Sequence, residues 1–247
     1  VVFEVTNIFL GDYKRLDPFD PYGLTAGFGN LERKATLNKA LSYLDSFKAF
    51  EDNVSITSVL TYHEVLTRKN SAYRHEEQVT MKVTRSIIML PEEKDKMRWR
   101  LADPRVGYFV SSFQHFGMEI DRSNRTYFIH KWNLQPSDME KYQRGELVAP
   151  VKPIVFYVDN LFPESWKGAI REGILVWNQA FEKIGFKDAV QVRDFPTDDP
   201  EFDPENLKYS CVRYAPIGIE NAMGPSWIDP RTGEIMNASV FVYHDII

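Results

Sequence analysis

Disulfides are excluded first, because Cys211 is the single cysteine among 247 residues. The absence of an intrachain disulfide fits a cytoplasm and does not exclude a bacterial periplasm. Cys211 lies in an apolar segment and reads as a small buried hydrophobe, because nothing around it would lower a thiol pKa for catalysis. No stretch approaches the roughly 20 apolar residues of a membrane span. Positive charge is not in excess either: the formal net charge is -5. No basic patch is visible, which argues against nucleic acid as a partner. There is no initiator methionine and no signal peptide ahead of Val1. Val1-Val2-Phe3-Glu4-Val5 reads as the middle of a strand, so the expectation is a piece of something longer.

Catalytic signatures are missing as well. A zincin needs H-E-x-x-H on a helix, so that two imidazoles one turn apart meet one zinc and the glutamate activates its water. His63-Glu64 begins that pattern but position 67 is Thr67, and His75-Glu76 begins it but position 79 is Val79. Both lie in strand or loop territory, where residues four apart do not converge. His115 and His130 have no partner at ligand spacing. His244 beside Asp245 is a histidine–carboxylate pair without a third group. No G-x-S-x-G elbow occurs, and Gly224-Pro225-Ser226 assembles no triad. Neither phosphate-loop pattern is present, and Gly27-Phe28-Gly29 reads as a flexible turn. Asp198, Asp199, Glu201, Asp203 and Glu205 could hold calcium, but they lack the alternating ligand register with its glycine, so they read as a solvated acidic loop.

What the sequence does have is rings, at 14% of residues. Such content predicts thick packed cores or aromatic-lined grooves. Alternation of apolar residues predicts a long hairpin over 54–67 and 78–90, with Arg68 to Glu77 connecting. Gly107 to Phe113 and Tyr127 to Leu134 are further strands, turning at Asp121 to Arg125. Arg100 to Arg105 should be an irregular ordered loop. Thr36 to Leu44 reads as a short helix, and Pro136 to about Tyr142 as another. Gly145, Pro150 and Pro153 mark a junction, with a β-rich part over 1–150 and an α/β part over 151–247. In the second part, 154–158 is a strand apolar on both faces. A helix follows over 163–184, with Trp166, Ala169, Ile170, Gly173, Ile174, Trp177, Phe181 and Ile184 as its apolar stripe. Pro163 opens it and Gly185 closes it. Strands are expected near 190–195, 210–214, 222–228 and 235–243, the last two joined by Asp229 to Gly233. The fold class is α+β.

Three stretches resemble secreted zinc-dependent metallopeptidases of Bacteroidetes, known by the domain labels DUF5117 and DUF4953. They are Arg100-Leu-Ala-Asp-Pro-Arg-Val-Gly-Tyr-Phe109, Pro153 to Pro163 running into Trp166 to Gly185, and Asn221 to Ser239. The resemblance implies a β-rich pre-catalytic domain, then the upper half of a metzincin-like catalytic domain: strand, long helix, strands, and an edge strand over the cleft. It implies hydrolysis of peptide bonds by zinc-activated water, with zinc held by an H-E-x-x-H helix beyond Ile247. It therefore assigns no metal ligand or catalytic residue here and leaves this chain inactive alone. The substrate edge it implies is Ala222, Met223, Gly224, Pro225, Ser226 and Trp227, to which an extended peptide could add as a strand. It places the protein in the periplasm, at the outer membrane or outside the cell. The incomplete sheet, with alternate residues of Ser239 to Tyr243 exposed, would then favour self-association. Two other readings stand beside this one: a non-catalytic module binding peptide or glycan, and a structural scaffold.

Overall fold

A computed structural model describes residues 4–11, 18, 31–116 and 124–246. Contacts divide the chain into two units, Val1–Met89 and Leu90–Ile247.

The first unit is a four-stranded antiparallel sheet organised around one strand. Its strands are β1 (Leu31–Leu37), β2 (Tyr43–Ala49), β3 (Asn53–Arg68) and β4 (Arg74–Ile88). β1 and β2 pair in succession along one side of β3, at 62–68 and 54–59, and β4 runs along the other side. β3 is rich in Val, Ile, Thr and Tyr, which fit a pleated surface. Ile56, Leu60 and Tyr62 are buried. The hydroxyls of β3 are satisfied across the ladder: Thr57 meets Thr84 and Thr61 meets Thr80, each at 2.9 Å. A short helix α1 (Thr6–Phe9) inserts Phe9 into this core. Ser58 Oγ and an Arg85 Nη1 both donate to the Phe9 carbonyl. Buried Glu64 is paired with Arg33 on β1.

Two expectations are corrected in this unit. Thr36 to Leu44 is not a helix: Leu37 closes β1, a 3-10 turn spans Lys39–Leu41, and Tyr43 opens β2. Helix-compatible residues there are overridden by pairing, since Leu37 lies opposite Tyr62 and Tyr43 opposite Val59. The hairpin's connection is also shorter than expected. β4 already begins at Arg74, and Asn70 at φ 57 takes the left-handed position of the turn. Of the amino-terminal segment, Val1 to Phe3 lie outside the described residues, as does Gly27-Phe28-Gly29; Glu4 and Val5 precede α1.

The second unit contains a hairpin of β5 (Val110–His115) and β6 (Asn124–Ile129), a helix α2 (Met139–Gln143) capped by Asp138, and a five-stranded sheet. The expected turn at Asp121 to Arg125 has its residues 121–123 outside the described ones. Arg100 to Arg105 is irregular as predicted, with one bridge from Leu101 to Phe128. The larger sheet holds β7 (Ile154–Val158), β8 (Val190–Asp194), β9 (Ser210–Ala215), β10 (Ala222–Met223) and β13 (Val240–Tyr243). Its order is β10-β13-β9-β7-β8, parallel throughout except for antiparallel β10 at one edge. Between them in sequence, β11 (Ser226–Ile228) and β12 (Ile235–Ala238) form their own hairpin. The whole is α+β.

The predicted helix over 163–184 is present as two segments, α3 (Glu164–Leu175) and α4 (Asn178–Glu182). Val176 and Trp177 keep right-handed helical angles, but Gln179 and Ala180 bond three residues back, to Val176 and Trp177. Beyond this tightened turn, Asn178 clamps the start of β8: its amide donates to the Val190 carbonyl and accepts from the Val190 N–H, both at 2.9 Å. Trp166, Ile170 and Ile174 pack on a core of Val158, Phe162 and Val212, joined by Val192, Val240 and Val242. Trp177 does not join them. It is 64% exposed and Ile184 is 56% exposed, so the apolar stripe in the sequence is wider than the surface the sheet covers. On the opposite sheet face, Phe202 lies against Tyr157, Phe195 and Tyr209. That ring pins the acidic loop to the sheet.

Residues 130–151 are bonded to the carboxyl-terminal half of this unit. Lys131 N–H donates to Gly233, Ile235 N–H to Lys131, Val148 N–H to Gly185, and Lys187 N–H to Val148. The sequence junction at 150 thus falls inside the second unit. Among the described residues no helix is long and apolar enough to cross a membrane.

Candidate functional site

The segment proposed from the sequence as a substrate edge is Ala222 to Trp227. The structure places it in two pieces. Ala222 and Met223 form β10, antiparallel to Val242 and Phe241 of β13, at the rim of the five-stranded sheet. Gly224 and Pro225 then lead the chain out of that sheet. Ser226 and Trp227 pair with Ala238 and Asn237 in the smaller hairpin. The piece is nevertheless held as a unit: Ser239 N–H donates to the Pro225 carbonyl at 3.0 Å, and Tyr243 N–H to that of Asn221. Exposure alternates, with Ala222, Gly224 and Ser226 open and Met223, Pro225 and Trp227 half-buried. β10 pairs on one side with β13, and among the described residues no strand pairs on its other side.

Beneath this edge sits a buried polar network that the sequence reading passed over. Asn237 is fully buried and donates to the Leu207 and Tyr209 carbonyls, both at 2.8 Å. Its Oδ1 accepts from Ser239 Oγ. The preceding turn is locked by Asp229, which accepts from Arg231 Nε at 3.0 Å, Nη2 at 2.7 Å and N–H at 2.8 Å. Those bonds hold the Asp229 carboxyl below its ordinary pKa against the opposing effect of burial. The available signal was an Asp-Pro-Arg-Thr-Gly turn whose arginine reaches back two residues.

A second cluster lies at the carboxyl ends of the parallel strands. Tyr214 OH meets His244 Nδ1 at 2.5 Å, and the imidazole stacks on Trp166 with centroids 5.9 Å apart. Strand ends of this kind are where α/β sheets commonly place ligands. Here the three rings mainly close the top of the helix–sheet seam. Asp159, buried after β7, accepts from the Leu161 and Tyr214 N–H groups and so caps the same end.

The histidines are scattered. His63 pairs with Glu76 at 3.3 Å, His75 lies 3.8 Å from Glu77, and His130 Nε2 is 2.8 Å from Ser111 Oγ. His115 packs on Phe113. His130 is pushed below its ordinary pKa by burial. Asp199 and Asp203 spend their Oδ1 atoms on the N–H groups of Glu201 and Glu205. Among the described residues no three His, Cys, Asp or Glu side chains gather as a metal site. Cys211 is fully buried, and burial pushes its thiol up to about 12.

No curated protein matches this sequence, and no solved structure does. One family model does match, that of a domain of unknown function, DUF5117, over residues 1–137. That span covers β1 to β6 and reaches past the first unit into the second, and on this match the chain belongs to the DUF5117 family.

Proposed function

We propose that residues 151–247 are the substrate-edge part of a metzincin-like, zinc-dependent peptidase, and that the metal is held by a helix encoded beyond Ile247. The observation that supports this reading is the order and direction of elements. β7, the α3–α4 helix, β8 and β9 come first, followed by an antiparallel strand, β10, at the rim of an otherwise parallel sheet. This is the succession of strand, helix, strands and edge strand that the resemblance implies. The role assigned to this chain is binding. The outer side of β10, continued by Gly224 to Trp227, offers backbone donors and acceptors to an extended peptide. Met223 and Trp227 would flank it. The reading carries with it a secreted protein of Bacteroidetes.

The test has two arms. The coding sequence after Ile247 should contain H-E-x-x-H within a helical pattern. The complete polypeptide should cleave an unfolded protein substrate and lose that activity with a zinc chelator. A coding sequence without the motif, together with a complete protein that leaves peptides intact, overturns the proposal. A peptide- or glycan-binding module then takes its place.

A further inference from the structure

β4 is an edge strand of unusual length. It pairs with β3 along Arg74–Ile88, and among the described residues no strand lies along its other side. It contains no proline, and its register with β3 runs without a bulge. Long open edges are templates for pairing with another chain, and proteins usually shorten, kink or cover them. β4 is neither short nor bulged, and among the described residues no strand pairs with its outer side.

Its sequence is complementary to itself. Glu77, Val79, Met81, Val83 and Arg85 alternate onto one face of the strand. In an antiparallel pairing centred on Met81, Glu77 falls opposite Arg85, Val79 opposite Val83, and Met81 opposite its twin. On the other face Glu76 meets Ser86, Gln78 meets Thr84, and Thr80 meets Lys82. No like charges face each other. Centring on Lys82 would set two ammonium groups together. Centring on Thr80 would put His75 against Arg85 and leave Glu77 facing Val83. Cross-strand pairs of opposite charge and of β-branched residues are the units that stabilise a sheet. Val79, Met81 and Val83 are half-buried, so a neighbouring strand would cover apolar surface that is still open. Arg85 donates to the Phe9 carbonyl, which fixes its position on this face of the strand.

We propose that the outer edge of β4 pairs antiparallel with β4 of a second copy, across a two-fold axis at Met81. Two four-stranded sheets become one continuous sheet, through an isologous interface. Every residue involved lies in the first unit, so the inference does not rest on the peptidase reading.

The experiment is disulfide trapping in the full chain. Residues facing each other in an antiparallel pair have Cα atoms about 4.5–5.5 Å apart, within the range a disulfide spans. Met81→Cys should therefore give a covalent dimer on mild oxidation. Val79→Cys should not, because its twin lies four residues along the strand, roughly 13 Å away. Adding Val83→Cys to Val79→Cys should restore the crosslink. Cys211 is buried and should leave the unmodified chain uncrosslinked. Independently, Glu77→Arg sets two pairs of like charges face to face at an exposed position. It should weaken dimerisation measured by light scattering by at least about tenfold. A chain that is monomeric at all concentrations overturns the proposal. So does crosslinking of Val79→Cys as readily as Met81→Cys, or a dimer indifferent to Glu77→Arg.

Discussion

At the scale of single residues, the turn before β12 is tightly constrained. Gly233 has φ +77, and a Cβ there would collide with the Ile129 carbonyl oxygen. Gly233→Ala combines a left-handed backbone with that collision, so it should cost about 2 kcal/mol or more in urea unfolding. Asp229 in the same turn sets a pH dependence. Its folded pKa lies below its unfolded value, so its contribution is fully present above the ordinary Asp value of about 3.9. It is lost as pH falls through the depressed folded pKa. Asp229→Asn should therefore lower stability at pH 7 by ~2 kcal/mol. The gap between variant and parent should narrow below about pH 4, and a gap that stays constant to pH 2 would refute the assignment. Cys211, with its thiol raised to about 12, should resist a thiol reagent at pH 8 in the folded protein. It should react promptly once urea opens the sheet.

At the scale of elements, the α3–α4 helix separates what periodicity tells from what packing decides. The apolar positions from Trp166 to Ile184 announce a helix but not how much of its circumference is covered. Phe162 is 3% exposed and Trp177 is 64% exposed. Phe162→Ala should cost about 3–5 kcal/mol, while Trp177→Ala should change stability by less than about 0.5 kcal/mol. Thermal unfolding of the two variants reverses that order if Trp177 is a core residue. The same division explains which elements were legible. β3, β4, β7, β8 and β9 carry unbroken alternation or apolar runs, and the sequence places them within a few residues. The helix expected over Thr36 to Leu44 gives way to the end of β1 and the start of β2, whose strand character comes from β3, through pairing such as Ala35 with Glu64 and Phe47 with Ile56. β10 and β11 read as one strand, but Gly224-Pro225 transfers the chain to another sheet. The buried bonds of Asn237 were not legible, because their acceptors, Leu207 and Tyr209, are some 30 residues away.

At the scale of the whole molecule, the sequence junction, the family match and the contact division fall at different places. Pro150 and Pro153 suggest a boundary near 150, the match ends at residue 137, and the units meet between Met89 and Leu90. These positions imply different autonomous pieces, and the hydrogen bonds choose among them. Beyond the four bonds at Lys131 and Val148, Val151 N–H donates to Gln135 across the same position. Tyr142 OH reaches the Ile184 carbonyl at 3.0 Å, and its ring packs on Phe186. Val148 and Phe186 are both nearly fully buried. A cut at 150 strips the α/β sheet of these partners and opens Phe186 and the Gly233 turn to water, whereas a cut at 89 leaves them in place. Burial is worth roughly 25 cal/mol per Å2 of apolar surface, and each buried polar group left unpaired costs about 1–3 kcal/mol. Set against a domain stability of about 5–15 kcal/mol, that loss is large. A polypeptide of residues 90–247 should therefore unfold cooperatively on heating, and one of residues 151–247 should melt at least ~10 °C lower or lack a cooperative transition. Circular dichroism melts of the two pieces decide it. If 151–247 melts as high and as sharply as 90–247, residues 151–247 are autonomous, and the bonds at Lys131, Tyr142 and Val148 contribute no stability to the sheet.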